Sequence, residues 1–558
     1  MASRIHPSAV VAALGLAGCP ADGYDFGSAT APTAPGATSS GTTADVVPTG
    51  GPTADVQTVT SGTTEQPVPG DTSTSTTGGP GGPMIFAFDV EPKQLNAAGA
   101  AEVSLVTGPP AQSFELLRNG ELVGQGPIAA FAEVFEATTA KDNGEYLYAV
   151  TVSDGEGGTE MASTKLKVVL PDGGAVRCTF TEATGAGSKL LGLTRSGDAW
   201  VAVGTFINPA GQRLALWKLD ATTCAPLPGW PRVITSWTAI KDLGLHMSEG
   251  TAIGADALGR LAVAGLVGED LERRPYLALL DDDGALLWEK LGAPGDEILG
   301  AAIAPPPYGS VLAVGTRQTA TNPLRHDAMV WHHLSKDSVV VDQIKAPLAV
   351  GEDGDLFNNR SERALAVLVH PKTSVVFVAG ERDYKGGDKL VYPRSFVLRY
   401  APLGGRLGAW TSSGDYLLQD GARAIASCDD GLRLGGWARS KDGEQPQPLT
   451  RWLDDQGASV QRRPEGYVNT RTLGLACDRI GRTVSAATRA ADGLLPRAEL
   501  FAFPDAAAPL SWTANGGVNT VDAAFAVACD DWGFCAWAGF QQAGQPPQPR
   551  AHLRVLHP

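Results

Sequence analysis

The 558-residue chain is predicted to fold as an all-β protein behind a long disordered segment, and three observations predict this. From position 84 to the C-terminus, short apolar runs alternate with turn residues, which is the pattern of short strands. After position 176 the pattern repeats about every 50 residues. Residues 20–83 show no apolar pattern.

The chain opens with a segment typical of a secretory signal. Arg4 precedes the apolar run Ala9–Leu16, and small residues follow it. The run is far shorter than the roughly 20 residues that span a bilayer. The string Leu16-Ala17-Gly18-Cys19 then resembles the lipobox of bacterial lipoproteins, whose cysteine is acylated and becomes the first mature residue.

This resemblance implies a signal peptide over residues 1–18 and lipidation at Cys19. The alternative is a buried cysteine in an ordinary N-terminal helix. Pro20 follows Cys19, where lipoproteins retained at the inner membrane commonly carry aspartate. The resemblance therefore favours the outer membrane, at its periplasmic or cell-surface face.

Residues 19–83 are predicted to be a lipid anchor and a disordered tether. The segment after Cys19 is rich in Thr, Ser, Gly, Pro and Ala, with six acidic residues and no Lys or Arg. It cannot bury enough apolar surface to offset the entropy of ordering. A flexible chain of this length spans roughly 40–50 Å. A glycosylated stalk is the alternative interpretation.

Charge and cysteine content narrow the function classes. The net charge is −16, which argues against nucleic-acid binding because that needs clustered Lys and Arg. No later apolar run reaches the length of a transmembrane helix. Six cysteines follow Cys19, an even number that suits disulfides in an oxidising compartment and allows 15 pairings.

Residues 84–171 are predicted to form a small β domain. The turn signals Asn119-Gly120 and Asp154-Gly155 separate its strand-like runs. The runs are Met84–Val90, Ala101–Val106, Ser113–Leu117, Ile128–Phe135, Glu145–Val152 and Thr164–Val169.

Two motifs in this region resemble immunoglobulin-like sandwiches. Asp142-x-Gly144-x-Tyr146-x-Tyr148 is similar to their E–F corner, with Tyr146 as the corner tyrosine, and the run from Phe114 to Gly120 resembles their strand C turn. Tyr148 stands where the family has its second cysteine, which matches the cysteine-free bacterial modules. The alternative for Tyr146 is an ordinary buried strand tyrosine.

Residues 176–558 contain seven similar units. In each, a strand leads through a turn into a second strand that closes on a small residue, and a third strand follows, such as Leu214–Leu219. The closing residues are Gly204, Gly265, Gly315, Gly380, Gly436, Ala487 and Gly539. Four strands per unit at this period are typical of β-propeller blades.

The ends of this region predict how the ring closes. The seventh unit has strands at Ala523–Ala528, Phe534–Ala538 and His552–Leu556, and lacks a fourth. The spare strand Val176–Phe180 would complete it and cover the open edge. The prediction is an immunoglobulin-like sandwich followed by a seven-bladed β-propeller, with an open sandwich or β-solenoid as the alternative.

Motifs for catalysis, metals or cofactors are weak. The string from Asp282 to Trp288 mimics a sialidase-type Asp-box, but it lacks the serine and its Trp is one residue late. Adjacent His332 and His333, near His326, point to opposite faces of a strand, which disfavours zinc. Asp281-Asp282-Asp283 lacks the spacing of a calcium loop. No catalytic residue, metal site or cofactor is predicted.

Charged residues just before each first strand are predicted to rim a central channel. Acids fall in the early units and arginines in the later ones, so the mouth would be polarised; ordinary solvated loop charges are the alternative. The residues are Glu249, Asp296, Glu297, Glu362, Arg363, Arg423, Arg471 and Asp522.

The six later cysteines are interpreted as structural. Cys529 and Cys535 flank one turn, where opposed hairpin positions come near the separation a disulfide prefers. Cys428 and Cys477 share a position with Cys529 in neighbouring units and can pair with each other. That pairing would leave Cys178 with Cys224.

Two function classes follow. The first is a lipid-anchored, non-catalytic binding protein of the cell envelope, with the propeller as recognition platform for an unidentified protein or glycan. The alternative is a propeller hydrolase or lyase acting on extracellular glycans. Over nearly its whole length the chain resembles myxobacterial-type lipoproteins with a Thr/Ser/Gly tether and propeller repeats. That resemblance implies location and architecture but no ligand, since propellers host many functions.

Overall fold

The structure is a computed structural model. The residues it describes are 74–75, 82–183, 187–208, 211–234, 247–268, 273–321, 324–333, 340–345, 361–385, 391–402, 405–412, 418–428, 431–440, 445–453, 459–462, 470–478, 481–489, 497–503, 510–511, 521–543 and 548–558. The predicted signal peptide and Cys19 lie outside these ranges, as does nearly all of the tether.

The first unit consists of two β-sheets that pack around one apolar core. Its strands are β1 (Thr74–Ser75), β2 (Met84–Glu91), β3 (Gln94–Leu95), β4 (Gly99–Gly108), β5 (Ser113–Arg118), β6 (Glu121–Pro127), β7 (Glu133–Ala137), β8 (Gly144–Ser153) and β9 (Thr159–Val168). One sheet has the order β2-β4-β7, and the other has β1-β9-β8-β5-β6, with β3 beside β9. Both sheets bury alternate side chains, such as Val90 and Val150, in the core between them.

The first unit departs from the prediction in several places. Ile128–Ala130, predicted as strand, is a 3₁₀ helix, and a second 3₁₀ helix spans Ala140–Asp142. Strand β6 was not predicted because its two glycines and exposed side chains hide the apolar pattern. Thr74–Ser75, within the segment predicted as disordered, pairs with β9.

Residues 176–558 form seven four-stranded antiparallel sheets within the described part of the chain. The strands are β10 (Val176–Thr181), β11 (Ser188–Ser196), β12 (Ala199–Asn208), β13 (Gly211–Asp220), β14 (Arg232–Val233), β15 (Ser248–Ala255), β16 (Leu261–Val267), β17 (Arg274–Leu280), β18 (Leu286–Leu291), β19 (Asp296–Ile303), β20 (Val311–Thr321), β21 (Leu324–His333), β22 (Val340–Lys345), β23 (Glu362–Val369), β24 (Val376–Lys385), β25 (Val391–Tyr400), β26 (Arg406–Thr411), β27 (Leu418–Cys428), β28 (Gly431–Ser440), β29 (Gln447–Leu453), β30 (Ser459–Arg462), β31 (Thr470–Cys477), β32 (Thr483–Arg489), β33 (Arg497–Phe503), β34 (Leu510–Ser511), β35 (Val521–Cys529), β36 (Cys535–Ala543) and β37 (Gln548–Leu556).

Sheets 1 to 6 take four consecutive strands each, from β11 to β34, and the first strand of each contacts the first strand of the next sheet. Sheet 7 has the order β10-β37-β36-β35, so the N-terminal strand β10 completes it as the sequence predicted. First strand β35 contacts β11 of sheet 1. The seven first strands therefore follow one another in cyclic order.

The close approach of the first strands requires small side chains at one register. The seven residues at this register are Gly192, Ala252, Gly300, Ala366, Ala424, Gly474 and Ala526. A Cβ on Gly192 would meet the backbone of Ala252 and Ile253 in the next sheet, at 3.1–3.2 Å. Small residues at this register thus let neighbouring sheets pack backbone to backbone near the centre.

Several turns between first and second strands share one local structure. Asp256 accepts hydrogen bonds on its side chain from the N–H groups of Leu258 and Arg260, and Asp530 accepts equivalent bonds from Trp532 and Phe534. Each turn ends on a glycine with a φ near +80°, a conformation that favours glycine. The Asp-x-x-Gly strings therefore fix these hairpins.

Candidate functional site

Every first strand carries one β-bulge at the same register. The bulge lies beside the closing residue of the second strand. In sheet 3, for example, Ile298 pairs with the closing residue Gly315 and Gly300 pairs with Val314, so the residue between them is left without a partner in the ladder. The bulged residues are Leu191, Thr251, Leu299, Leu365, Arg423, Leu473 and Phe525. We call this set the bulge ring; Arg423 is its only charged member.

The bulge explains the closing glycines. In six of the seven sheets, a Cβ on the closing glycine would collide with a carbonyl oxygen of the first strand, such as that of Glu297 for Gly315. In these six sheets, the glycine that closes the second strand of the sequence repeat is therefore required by the bulge in the first strand. Ala487 closes sheet 6, whose first strand has the same register shift.

In three sheets, a residue near the start of the first strand forms a hydrogen bond to the preceding sheet. Ser188 and Ser248 each accept a hydrogen bond of 2.8 Å from a backbone N–H in the third strand of the preceding sheet. Asp420 accepts the equivalent bond from Ser395 at 3.3 Å. Asp420 also pairs with Arg451, and both are buried. Sequence reasoning missed Asp420.

Asp296 occupies the same register but has a different partner. The third-strand residue that would donate to it is Pro275, which has no N–H. Its carboxylate instead pairs with Arg317 through two bonds of 2.7–2.8 Å. Asp296 is only 3% exposed, so it lies between sheets rather than on an open rim.

The other predicted acids lie at the start of first strands in sheets 2 to 4. Glu249 pairs with Arg273 at 2.5 Å, and the Glu297 carboxylate accepts a hydrogen bond from Thr316 at 3.3 Å. Burial raises the pKa of Glu362 to about 7, against the opposing effect of nearby Arg382. The side chain of Asp522 lies outside the described residues.

The predicted arginines come together across sheets 4 and 5. Arg423 donates from Nη2 to the Glu381 carboxylate at 3.2 Å, and an Nη of Arg363 lies 3.9 Å from the same oxygen. Both arginines are largely buried, at 10% and 17% side-chain exposure. Two of the predicted residues therefore share one carboxylate, that of Glu381, which was not predicted from the sequence.

Arg471 of sheet 6 packs against Trp437 of sheet 5, with its guanidinium 5.5 Å from the ring centre. Both Glu381 and Trp437 directly follow a closing glycine. From that position their side chains reach the first strand of the next sheet, and Phe540 does the same toward Lys189, 5.4 Å away. The residue after each closing glycine is the signal that would have found them.

The structure places His332 in the interior and uses Asp282 in a contact between two sheets. His332 is buried, and this burial lowers its pKa; the side chains of His326 and His333 lie outside the described part. Asp282 binds Lys218 of sheet 1 at 2.7 Å and accepts from Ser196 at 3.2 Å. The Asp-box-like turn thus attaches sheet 2 to sheet 1. Among the described residues, no group of three or more His, Cys, Asp or Glu is arranged to hold a metal ion.

Three disulfides join the pairs predicted from the sequence: Cys178–Cys224, Cys428–Cys477 and Cys529–Cys535. The first links β10 of sheet 7 to the segment that follows β13 of sheet 1. The second links the first strands of sheets 5 and 6. These two bonds are therefore covalent connections between neighbouring sheets.

Other contacts reinforce the junction of sheets 7 and 1. Trp217 Nε1 donates to Glu182 at 3.1 Å, and both residues are buried. Within sheet 7, Thr181 Oγ1 of β10 lies 2.8 Å from His552 Nδ1 of β37. Burial lowers the pKa of His552 to about 3, so this histidine is neutral at ordinary pH.

In the first unit, the Tyr146 hydroxyl donates to the Asp142 carbonyl at 2.9 Å. This is the bond that the tyrosine-corner interpretation requires. The immunoglobulin-like assignment itself stays a prediction. Within the described residues, no helix has the length and apolar character needed to cross a membrane.

No protein-family model matches the sequence, and the curated proteins give no match to it either. Among solved structures, a protein of unknown function from Dyadobacter fermentans is similar at 11% identity and a TM-score of 0.36, over 54% of this chain and 91% of its own. A quinonprotein alcohol dehydrogenase-like protein from Bacteroides thetaiotaomicron is similar at 10% and 0.29, over 85% and 99%.

Sqt1 from Chaetomium thermophilum, solved bound to the N-terminus of the ribosomal protein L10, is similar at 12% identity and a TM-score of 0.35, over 69% of this chain and 99% of its own. All three TM-scores lie below 0.5.

Proposed function

We propose that the chain is a lipid-anchored binding protein of the bacterial cell envelope. Its seven sheets are the blades of a β-propeller, and the start of the first strands is its ligand-binding end. The small first unit is an immunoglobulin-like spacer. The lipobox-like string at Cys19 and the tether composition support the anchor, and the Tyr146 bond supports the spacer.

One observation carries the binding role. Directly beyond the bulge ring, toward the turns, every first strand carries a Gly or Ala that lets neighbouring sheets pack closely. At the opposite end, the charged residues Glu249, Glu297, Arg363 and Arg471 of four different blades remain partly accessible. Charged side chains gathered from several blades at one end can recognise a ligand that no single blade could hold.

The test is to screen the full chain on peptide and glycan arrays and to map any retained ligand with two sets of variants. Glu249→Gln combined with Arg471→Gln changes the proposed binding end, and we expect it to weaken binding. Asp198→Asn removes an exposed charge from the turn at the other end and should leave binding unchanged. No retained ligand on either array, or equal loss in both variants, would contradict the proposal.

A further inference from the structure

We propose that the cluster of Arg363, Arg423, Glu381 and Trp437 binds a side-chain carboxylate of an acidic peptide. We call these four residues the arginine pocket. This inference rests on the proposed function, since it names the ligand chemistry for one sector of the binding end. It starts from the exceptional position of Arg423.

Arg423 is a cation where the fold places neutral residues. The other six members of the bulge ring are four leucines, a threonine and a phenylalanine. Arg423 has 10% side-chain exposure and forms one hydrogen bond, to Glu381. Its Nε is buried and has no partner among the described residues. An arginine in this place, incompletely paired, is costly and requires an explanation.

Glu381 alone does not neutralise the two arginines of the arginine pocket. Glu381 faces two guanidinium groups, at 3.2 Å from Arg423 and 3.9 Å from Arg363, so the three residues carry one excess positive charge. Burying a charge that lacks a partner is unfavourable. A second carboxylate beside the arginines would neutralise this excess.

Trp437 adds a second unused donor. It is 6% exposed, and its Nε1 is buried without an acceptor in the described part of the chain. Gly421 lies opposite Trp437 in the strand pair, and a Cβ there would collide with Glu381 Oε2 and come within 2.6 Å of this nitrogen, so Trp437 and Glu381 border the same small space. Indole and guanidinium N–H groups only donate, so a group that satisfies either of them must be an acceptor.

The burial of the pocket favours a peptide over an acidic polysaccharide. The arginines are recessed, at 10–17% exposure, and a carboxylate at the end of a Glu side chain can enter such a site. A uronate carries its carboxylate directly on a sugar ring, so its carboxylate extends less far from the polymer backbone than that of a Glu side chain.

The test is calorimetric titration of the full chain with a hexaglutamate peptide at low salt, with hexaglutamine as the neutral probe. Arg423→Leu installs the residue found in four other blades, so the variant should fold. Losing one charge-assisted hydrogen bond should weaken hexaglutamate binding about tenfold or more. Glu381→Gln removes the competing carboxylate and should tighten binding, which a folding defect cannot mimic.

Arg399→Gln is the matched control, because it removes an exposed positive charge from the third strand of blade 4 and should not change affinity. Hexaglutamate binding that is absent, or insensitive to Arg423→Leu, would overturn the inference. Equal, Arg423-dependent binding of polygalacturonate would overturn the peptide assignment. If hexaglutamate fails while Glu249→Gln with Arg471→Gln still abolishes binding of an array ligand, the proposed function stands without this inference.

Discussion

The closing glycines mark where one residue of each first strand is extruded as a bulge. The carbonyl oxygen two residues before the bulge faces the second strand, and only glycine leaves room for it in six of the seven sheets. In sheet 5 the bulged residue is Arg423, a member of the proposed arginine pocket. The bulge therefore accounts both for the closing glycines of the repeat and for the position of Arg423.

Gly315→Ala is expected to destabilise the protein by about 1–3 kcal/mol, the usual cost of overpacking. Its Cβ would lie 2.8 Å from the Glu297 carbonyl carbon and 3.0 Å from Ile298 Cα, and neither backbone can yield easily. Urea unfolding followed by tryptophan fluorescence measures the change. Gly408→Ala is the control, because nothing lies within 4 Å of its Cβ position. Equal midpoints for the two variants would refute the steric argument.

Among the strands, those with strong apolar patterns could be predicted and those without could not. The first three strands of each of the seven sheets are largely buried, and their sequences are accordingly rich in apolar residues. Fourth strands such as Arg406–Thr411 are partly exposed and polar, so their positions could only be inferred from the period. The arginines at the site could be selected by their place before each first strand. Their partners Glu381 and Trp437 were not predicted, because the repeat was defined by the closing glycine and not by the residue after it, whose side chain reaches the first strand of the next sheet.

The disulfides should differ in how much they stabilise the protein. Cys178–Cys224 spans 46 residues and Cys529–Cys535 spans 6. In the loop-entropy model these correspond to about 4 and about 2 kcal/mol. We therefore expect the double alanine variant at Cys178 and Cys224 to lower the free energy of unfolding more than the one at Cys529 and Cys535. Chemical denaturation of both variants compares them directly, and the reverse order would show that the link between blades 7 and 1 is not the stronger constraint.

At the scale of the whole molecule, the charge of the tether and the proposed lipid anchor bear on where the seven sheets lie relative to the membrane. Six of the acidic residues behind the net charge of −16 lie on the tether, which has no basic residue. In the proposed architecture this negative charge would be repelled by anionic headgroups, so the segment is expected to extend away from the membrane. Cys19 would then be the anchor, and the seven sheets would meet ligands beyond the lipid surface.

Cys19→Ser is expected to release the protein from the membrane. Several acyl chains on one cysteine anchor stably, whereas a chain without them has no attachment in the proposed architecture. In a host that processes lipoproteins, detergent phase separation should place the wild-type protein in the detergent phase and Cys19→Ser in the aqueous phase. Cys529→Ala with Cys535→Ala removes two cysteines without touching the signal and should partition like the wild type. A wild-type protein found in the aqueous phase, or a serine variant that stays with detergent, would mean that Cys19 is not the anchor.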